Sequence, residues 1–163
     1  MLEIRIAALE EASIIHELAH KIYFPTYTGI LSEDQMEFML EKSYTVTAIQ
    51  QSIQHGQLFY IAYEENVPVG FIALTNKNEN ILRIEKLYLL PSSQGKGFGG
   101  LMISFAEEEA AQRGRDTLEL NVNRGNKAYY FYLKQGFEVV EEVDIPYYGY
   151  ILDDYVMQKK ITL

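Results

Sequence analysis

The 163-residue chain contains no cysteine and no tryptophan, and it has few basic residues. Without cysteine there is no disulfide, no thiol nucleophile and no thiolate metal ligand. The net charge of −9 at pH 7 argues against a general nucleic-acid binder, because such proteins replace phosphate counterions with Lys and Arg. A cationic small molecule suits this charge, since a negative surface concentrates cations, although ordinary solubility explains it equally well.

Long apolar runs are also missing. None approaches the roughly 18 residues that a membrane helix needs, and the opening MLEIRIAALEE lacks the basic and then apolar form of a signal peptide. We therefore expect a cytoplasmic protein with no membrane partner. No linker, low-complexity segment or repeat interrupts the chain, which predicts a single domain over residues 1–163. The sequence leaves a homodimer open.

The spacing of apolar residues predicts an α+β fold, with helices early in the chain and strands later. Glu3–Ala7 alternates as a strand, and Leu9–Ile22 has helical spacing that Phe24–Gly29, with its proline and glycine, should break. Further helices are expected after Ser32, after Thr45, after the glycine-rich stretch, and over Lys127–Gln135. Further strands are expected over Leu58–Tyr63, Val67–Thr75, Ile81–Leu90 and Leu118–Val122, with two more within Phe137–Ile161.

The glycine-rich stretch is SSQGKGFGG, Ser92–Gly100. A strand before it and a helix after it would direct several backbone N–H groups at one pyrophosphate. Gly95, Gly97 and Gly100 form the G-x-G-x-x-G of dinucleotide-binding folds, but four residues separate the predicted strand from Gly95, where that motif needs the strand's end. A P-loop is excluded, because Leu-Met follows Gly100 in place of Lys-Ser/Thr.

The stretches Gln94–Gly99 and Glu119–Phe137 resemble two motifs of the GCN5-related N-acetyltransferase (GNAT) family. Gln94–Gly99 is similar to its Q/R-x-x-G-x-G/A signature, which holds the pyrophosphate of coenzyme A. The stretch Glu119–Phe137 resembles its N-x-x-A-x-x-x-Y-x-x-x-G-F segment, although Asn126 falls one place late. The positions matched in register are Ala128, Tyr132, Gly136 and Phe137. The resemblance covers essentially the whole chain and implies a GNAT fold: a mixed, mostly antiparallel sheet of about seven strands, with splayed parallel strands 4 and 5, flanked by helices.

The resemblance also implies an acetyl-CoA-dependent N-acetyltransferase with Tyr132 as general acid. A phenol with an ordinary pKa of about 10 stays protonated at neutral pH and can donate to a leaving thiolate. Backbone groups of the central strand would pair with the pantetheine, and Asn126 would bond the cofactor arm. The implied contacts of coenzyme A are Leu87, Tyr88, Leu89, Gln94, Gly95, Lys96, Gly97, Phe98, Gly99, Gly100, Asn126 and Lys134.

For the acceptor, the pieces FPTYTGIL, LNVNRGN and DDYVM resemble the bacterial spermidine/spermine N-acetyltransferase branch. This implies a small primary amine, first of all a polyamine, because carboxylates and aromatic rings suit a flexible polycation. The implied acceptor-site residues are Tyr27, Glu85, Asn121 and Asp153. A protein N-terminus or lysine, another small amine, and a non-catalytic coenzyme A-binding module stay open as alternatives.

No side chain is singled out as general base. Glu85 and Asn121 lie on the two predicted central strands, where they would order a water, and substrate-assisted deprotonation is equally open.

One further pattern suggests a metal. His16–His20 satisfies H-E-x-x-H, the zinc-protease motif, on a predicted helix. The apolar stripe of that helix puts both histidines on its polar flank, and Tyr23 and Thr26 occupy the positions of the extended motif's glycine and third histidine. We therefore expect no metal site.

Overall fold

The structure is a computed structural model that describes residues 1–162. The strands of this part of the chain are β1 (Leu2–Ile6), β2 (Leu58–Glu64), β3 (Val67–Asn76), β4 (Ile81–Leu89), β5 (Thr117–Asn123), β6 (Glu138–Tyr147) and β7 (Tyr150–Lys160). Its α-helices are α1 (Ala12–Tyr27), α2 (Glu33–Ser43), α3 (Val46–Gln54), α4 (Phe98–Gln112) and α5 (Ala128–Lys134). No helix in the described residues is long and apolar enough to span a membrane.

The starts of α2 and α3 are where the sequence predicts them. The Ser32 hydroxyl accepts a hydrogen bond from the Gln35 N–H at 3.1 Å, and the Thr45 hydroxyl accepts one from the Ala48 N–H at 3.1 Å. Each side chain thereby satisfies a backbone donor that the first turn leaves unpaired. Ser32 and Thr45 are therefore the N-caps of α2 and α3.

The first helix ends within the predicted segment Phe24–Gly29, but Pro25 does not end it, because α1 continues through Pro25 to Tyr27. Ile22 and Tyr23 are buried, at 1% and 3% exposure, so packing holds the turn just before the proline. The Thr28 N–H still bonds the Phe24 carbonyl at 2.9 Å, which completes the last turn. Tertiary packing here outweighs the intrinsic cost of proline in a helix.

The strands form a mixed sheet in the order β1-β2-β3-β4-β5-β7-β6. β4 runs parallel to β5, with Ile81 opposite Thr117 and Ile84 opposite Leu120. The pairs β1–β2, β2–β3, β5–β7 and β6–β7 are antiparallel. The predicted α+β class and the parallel pairing of the fourth and fifth strands are confirmed.

The chain divides into two compact units, and each has its own apolar core. Unit 1 comprises residues 1–75 and 86–102, and unit 2 comprises residues 76–85 and the chain from Ile103 onward. Fully buried side chains of unit 1 include Ile15, Ile22, Ile49, Phe59 and Phe71. Those of unit 2 include Leu82, Ile103, Leu118, Phe137 and Met157. The single domain over residues 1–163 stays a prediction.

Candidate active site

The glycine-rich loop, Gln94–Gly100, lies in unit 1 between β4 and α4. The Gln94 side chain donates a hydrogen bond from Nε2 to the Leu89 carbonyl oxygen at 3.2 Å, which fastens the start of the loop to the end of the strand. Gly95 and Gly97 have φ values of +79° and +82°. This is a left-handed backbone conformation that residues other than glycine rarely adopt. A Cβ at either position would meet no atom within 4 Å, so the space beside both glycines is open.

The first turn of α4 supplies the donors of this loop. The Leu101 N–H bonds the Gly97 carbonyl at 3.3 Å, which makes this the first hydrogen bond of the helix. The N–H groups of Phe98, Gly99 and Gly100 precede it and therefore have no acceptor within the helix. Three adjacent donors at the positive end of a 15-residue helix suit a pyrophosphate.

Of the two predicted cofactor lysines, one already has a partner. Lys96 Nζ lies 3.5 Å from Glu64 Oε1, with 49% of the lysine side chain exposed. Lys134 lies exposed in the last turn of α5. Contact of either lysine with the cofactor's phosphates stays a prediction.

The backbone of β4 approaches β3 unusually closely at Gly70. A Cβ at Gly70 would lie 2.4 Å from the Tyr88 carbonyl oxygen, so any side chain there would displace the strand. The Leu90 N–H bonds the Val69 carbonyl at 2.8 Å. Because successive N–H groups of a strand alternate in direction, those of Leu87 and Leu89 point away from β3. Sequence reasoning missed Gly70, whose role depends on a residue 18 positions away (Gly70 to Tyr88).

The structure brings together Tyr27, a predicted acceptor residue, and Tyr88 of the predicted cofactor strand. Their hydroxyl oxygens lie 2.7 Å apart in a hydrogen bond, and their rings meet edge to face at 6.4 Å. This bond fixes the end of α1 to β4 within unit 1.

The predicted acid, Tyr132, lies in α5 of unit 2. Its ring packs against Phe131 and Phe137, with centroids 5.3 and 5.8 Å away. Burial raises the pKa of the Tyr132 hydroxyl to about 12, and no charged or hydrogen-bonding neighbour contributes to the shift. The phenol is therefore protonated throughout the physiological pH range.

Asn126 lies at the start of the same helix, as predicted. Its Oδ1 accepts a hydrogen bond from the Ala128 N–H at 2.9 Å, so only the Nδ2 group is left to donate to a ligand. It also lines a cavity of about 340 Å³ in unit 2. The predicted contact of Asn126 with coenzyme A is compatible with this geometry and stays a prediction.

Polar residues of β4, β5 and β7, with one lysine from the turn after β3, form a network that we call the Arg83 cluster: Lys77, Arg83, Glu85, Glu119, Asn121, Asp154 and Gln158. Arg83 is its centre. Its guanidinium donates hydrogen bonds to Glu119 and Asn121 at 2.7 and 2.6 Å, and it forms an ion pair with Glu85 at 2.9 Å. The cluster thereby connects Glu85 and Asn121, the two residues that the sequence places on the central strands.

Glu119 is the most buried member of the Arg83 cluster, with 2% of its side chain exposed. Burial by itself would raise its pKa, but hydrogen bonds from Lys77, Gln158 and Arg83 outweigh burial and hold the pKa below its ordinary value. This carboxylate is therefore ionised and fully partnered.

The neighbouring aspartates Asp153 and Asp154 differ in their surroundings. Asp153 is exposed and accepts a bond from Asn123 Nδ2 at 3.2 Å. Asp154 is half-buried and accepts one from Asn121 Nδ2 at 3.2 Å. Burial raises the pKa of Asp154, and the nearby charge of Asp153 adds to the shift.

The histidines of the H-E-x-x-H pattern bond backbone carbonyls. Nδ1 of His16 bonds the Tyr44 carbonyl at 2.7 Å, and Nδ1 of His20 bonds the His16 carbonyl at 2.9 Å. Within residues 1–162, no three His, Cys, Asp or Glu side chains are grouped to hold a metal ion.

The loop of backbone donors at a helix start, the buried protonated tyrosine and the mixed sheet with a parallel pair are each features that the resemblance to an acyltransferase predicts. The model of the acetyltransferase (GNAT) domain matches residues 27–146, about three quarters of the chain. The chain therefore belongs to the GNAT family of N-acetyltransferases.

Two full-length matches come from Thermoplasma acidophilum. A spermidine N(1)-acetyltransferase is 31% identical over 98% of this chain and 97% of its own length. The crystal structure of a PaiA N-acetyltransferase in complex with coenzyme A has a TM-score of 0.86, with 29% identity and 99% of both chains covered.

A third relative matches only part of the chain. An aminoalkylphosphonate N-acetyltransferase of Salmonella typhimurium is 38% identical over 34% of this chain and 36% of its own. The predictions of the family, of an N-acetyltransferase and of coenzyme A in place of a dinucleotide are confirmed at the level of these relatives.

Proposed function

We propose that this protein transfers the acetyl group of acetyl-CoA to a primary amine of a polyamine such as spermidine or spermine. The observation that carries the acceptor is the 31% identity to a spermidine N(1)-acetyltransferase, which extends over nearly all of both chains. The net charge of −9 supports the same class of acceptor, because a polyamine is a polycation that an acidic surface attracts.

The loop Gln94–Gly100 holds the pyrophosphate of the donor in this proposal. The open space beside Gly95 and Gly97 admits an anion, and the first-turn N–H groups of α4 point into the region that precedes the helix. The N–H groups of Leu87 and Leu89, directed away from β3, pair with the pantetheine.

Tyr132 acts as the acid. It donates its hydroxyl proton to the thiolate sulfur of the departing coenzyme A, because a phenol with a pKa of about 12 is protonated at every physiological pH. The same high pKa makes the phenolate a strong base, so that it regains a proton from the acetylated nitrogen.

The residues proposed for the acceptor offer two kinds of group. Tyr27 offers an aromatic ring, while Glu85 and Asp153 offer carboxylates that attract the secondary ammonium groups of a polyamine. Asn121 accepts a hydrogen bond from Arg83 and thereby helps to orient the Arg83 guanidinium.

The acceptor class is tested by following the release of free thiol from acetyl-CoA with a panel of amines. The panel contains spermidine, spermine, a peptide with a free N-terminus and a lysine, and 2-aminoethylphosphonate as a matched primary amine that carries an anion. We expect kcat/KM for spermidine to exceed that for the phosphonate about 100-fold, since like charges across an interface cost several kcal/mol. A higher kcat/KM for the peptide or the phosphonate would contradict the polyamine proposal.

A further inference from the structure

The two faces of β5 carry different chemistry. On one face, Val122 pairs with Tyr155 of β7, whose ring contacts Tyr129 of α5 at 5.0 Å. Lys159, on the same face of β7, bonds Glu107 of α4 at 2.6 Å. This face is therefore covered by α4 and α5, and Tyr132 belongs to it through α5.

The opposite face carries the Arg83 cluster. Because side chains alternate along a strand, Glu119 and Asn121 point away from the face that bears Leu118, Leu120 and Val122. Glu119 bonds Gln158 and Asn121 bonds Asp154, which shows that β7 presents its own polar residues to this same face. Tyr132 and Asp154 thus lie on opposite faces of the β5–β7 pair.

Of the carboxylates in the cluster, Asp154 is the one without an ion-pair contact in the described residues. Glu119 is bonded by Lys77 and Arg83 at 2.6 and 2.7 Å, and Glu85 is bonded by Arg83. In the described residues Asp154 has no ion-pair partner and accepts its side-chain hydrogen bond only from the neutral amide of Asn121.

Asn121 itself is held in one orientation. Its Oδ1 accepts from Arg83 Nη2 at 2.6 Å, so its Nδ2 must face Asp154 Oδ2. Arg83 and Asn121 therefore act as positioning residues for the Asp154 carboxylate, and the other carboxylate oxygen, Oδ1, is left to receive a cationic ligand.

We infer that Asp154 is the proton acceptor for the reacting amine, an inference that rests on the proposed acetylation of a primary amine. The Asp154 carboxylate takes one proton from the ammonium group, and the neutral nitrogen forms its bond to the acetyl carbon. As the carbon–sulfur bond breaks, Tyr132 protonates the sulfur from the other face. The second nitrogen proton restores Tyr132, and Asp154 returns its proton to water.

The surroundings of Asp154 favour this transfer. The charged groups that act on it are Asp153 on its own strand, Arg83 on β4 and Arg124 after β5, while its cross-strand partner on β6 is the uncharged Val143. Partial burial is the largest cause of the raised pKa of Asp154, and the raised pKa makes this carboxylate a stronger base than an ordinary aspartate.

The test compares Asp154→Asn with Asp153→Asn, a matched change on the adjacent residue. In the unaltered protein, kcat/KM should fall as the pH drops through the raised pKa of Asp154, because a protonated carboxyl group cannot accept a proton from the amine. We expect Asp154→Asn to lower kcat about 10²-fold and to abolish this acid limb. Asp153→Asn removes a carboxylate of the proposed acceptor site, so it should raise KM for the amine while the acid limb is retained.

An acceptor that needs no base separates chemistry from folding. An O-alkylhydroxylamine is mostly neutral at neutral pH, so its acetylation should be nearly equal in Asp154→Asn and in the unaltered protein, and equality there also shows that the variant is folded. If Asp154→Asn slowed both acceptors alike, or kept the acid limb while Glu85→Gln lost it, Asp154 would not be the base. These measurements use whichever amine of the panel reacts fastest. If the polyamines do not react, that result contradicts the proposed acceptor, and the role of Asp154 is still tested with another amine.

Discussion

The loop Gln94–Gly100 and the Arg83 cluster present hydrogen-bonding groups in different ways. The loop offers backbone N–H groups from adjacent residues, in a conformation that the positive φ values of Gly95 and Gly97 permit. The cluster offers side chains that come from three strands of the sheet and from the turn after β3. A backbone site tolerates many side-chain changes but few changes of conformation, whereas a side-chain site has the opposite sensitivity.

The largest effect is expected on the face opposite the cluster, at Tyr132. Tyr132→Phe removes only the hydroxyl, and we expect kcat to fall about 10²- to 10⁴-fold, because that is the usual contribution of a general acid. Binding of acetyl-CoA, measured by calorimetry, should be retained.

Tyr130→Phe is the matched control, since Tyr130 lies two residues away on the same helix and is 65% exposed. An unchanged kcat in Tyr132→Phe would remove this residue from the mechanism.

Removal of the buried charge of the cluster should have the next largest effect. Glu119→Gln leaves Lys77 and Arg83 without their shared anion, and we expect the free energy of unfolding at neutral pH to fall by about 3 kcal/mol. Because the folded-state pKa of Glu119 is lowered, its stabilisation is present above its ordinary pKa and is lost as pH falls through the lowered value. The difference between variant and unaltered protein should therefore shrink in acid, as measured by urea unfolding.

The exposed Glu108 is the control for this change, and Glu108→Gln should alter stability by less than about 0.5 kcal/mol. A constant difference between Glu119→Gln and the unaltered protein at every pH would contradict the assigned charge of Glu119.

The loop should be sensitive to conformation. Gly95→Ala and Gly56→Ala both place a side chain at positive φ, where no atom lies within 4 Å of the new Cβ. Each should cost about 1 kcal/mol of stability for the same reason. Only Gly95→Ala should also raise KM for acetyl-CoA, about tenfold, because Gly56 closes α3 and takes no part in the loop. Equal KM values in the two variants would show that the loop does not hold the donor.

The smallest effect is expected at the one charged side chain of the loop. Lys96 is half exposed and pairs with Glu64 at 3.5 Å, a type of ion pair that contributes little. Lys96→Ala should therefore raise KM for acetyl-CoA less than about threefold, with Lys96→Arg as the charge-preserving control. If KM rose tenfold in Lys96→Ala but stayed unchanged in Lys96→Arg, the loop would bind the donor through a side chain, as the cluster binds its partners.

Local sequence determined a large part of this protein. The N-caps at Ser32 and Thr45 depend on a residue three positions away, and the glycine-rich loop depends on its own glycines and on the helix that follows. The two family motifs are equally local, and they were sufficient to predict the fold class and acetyl-CoA. Each of these features arises from interactions within one turn, loop or helix, so the pattern of neighbouring residues contains the necessary information.

The tertiary structure alone decided the features that depend on register. Strand alternation shows that Asp153 and Asp154 face opposite ways, but only the pairing of β5 with β7 places Asp154, and not Asp153, next to Asn121. The role of Arg83 and the close approach at Gly70 likewise depend on which strands become neighbours. A shift of one residue in register would turn every one of these side chains to the other face, and such long-range pairing is set by the packing of the whole sheet.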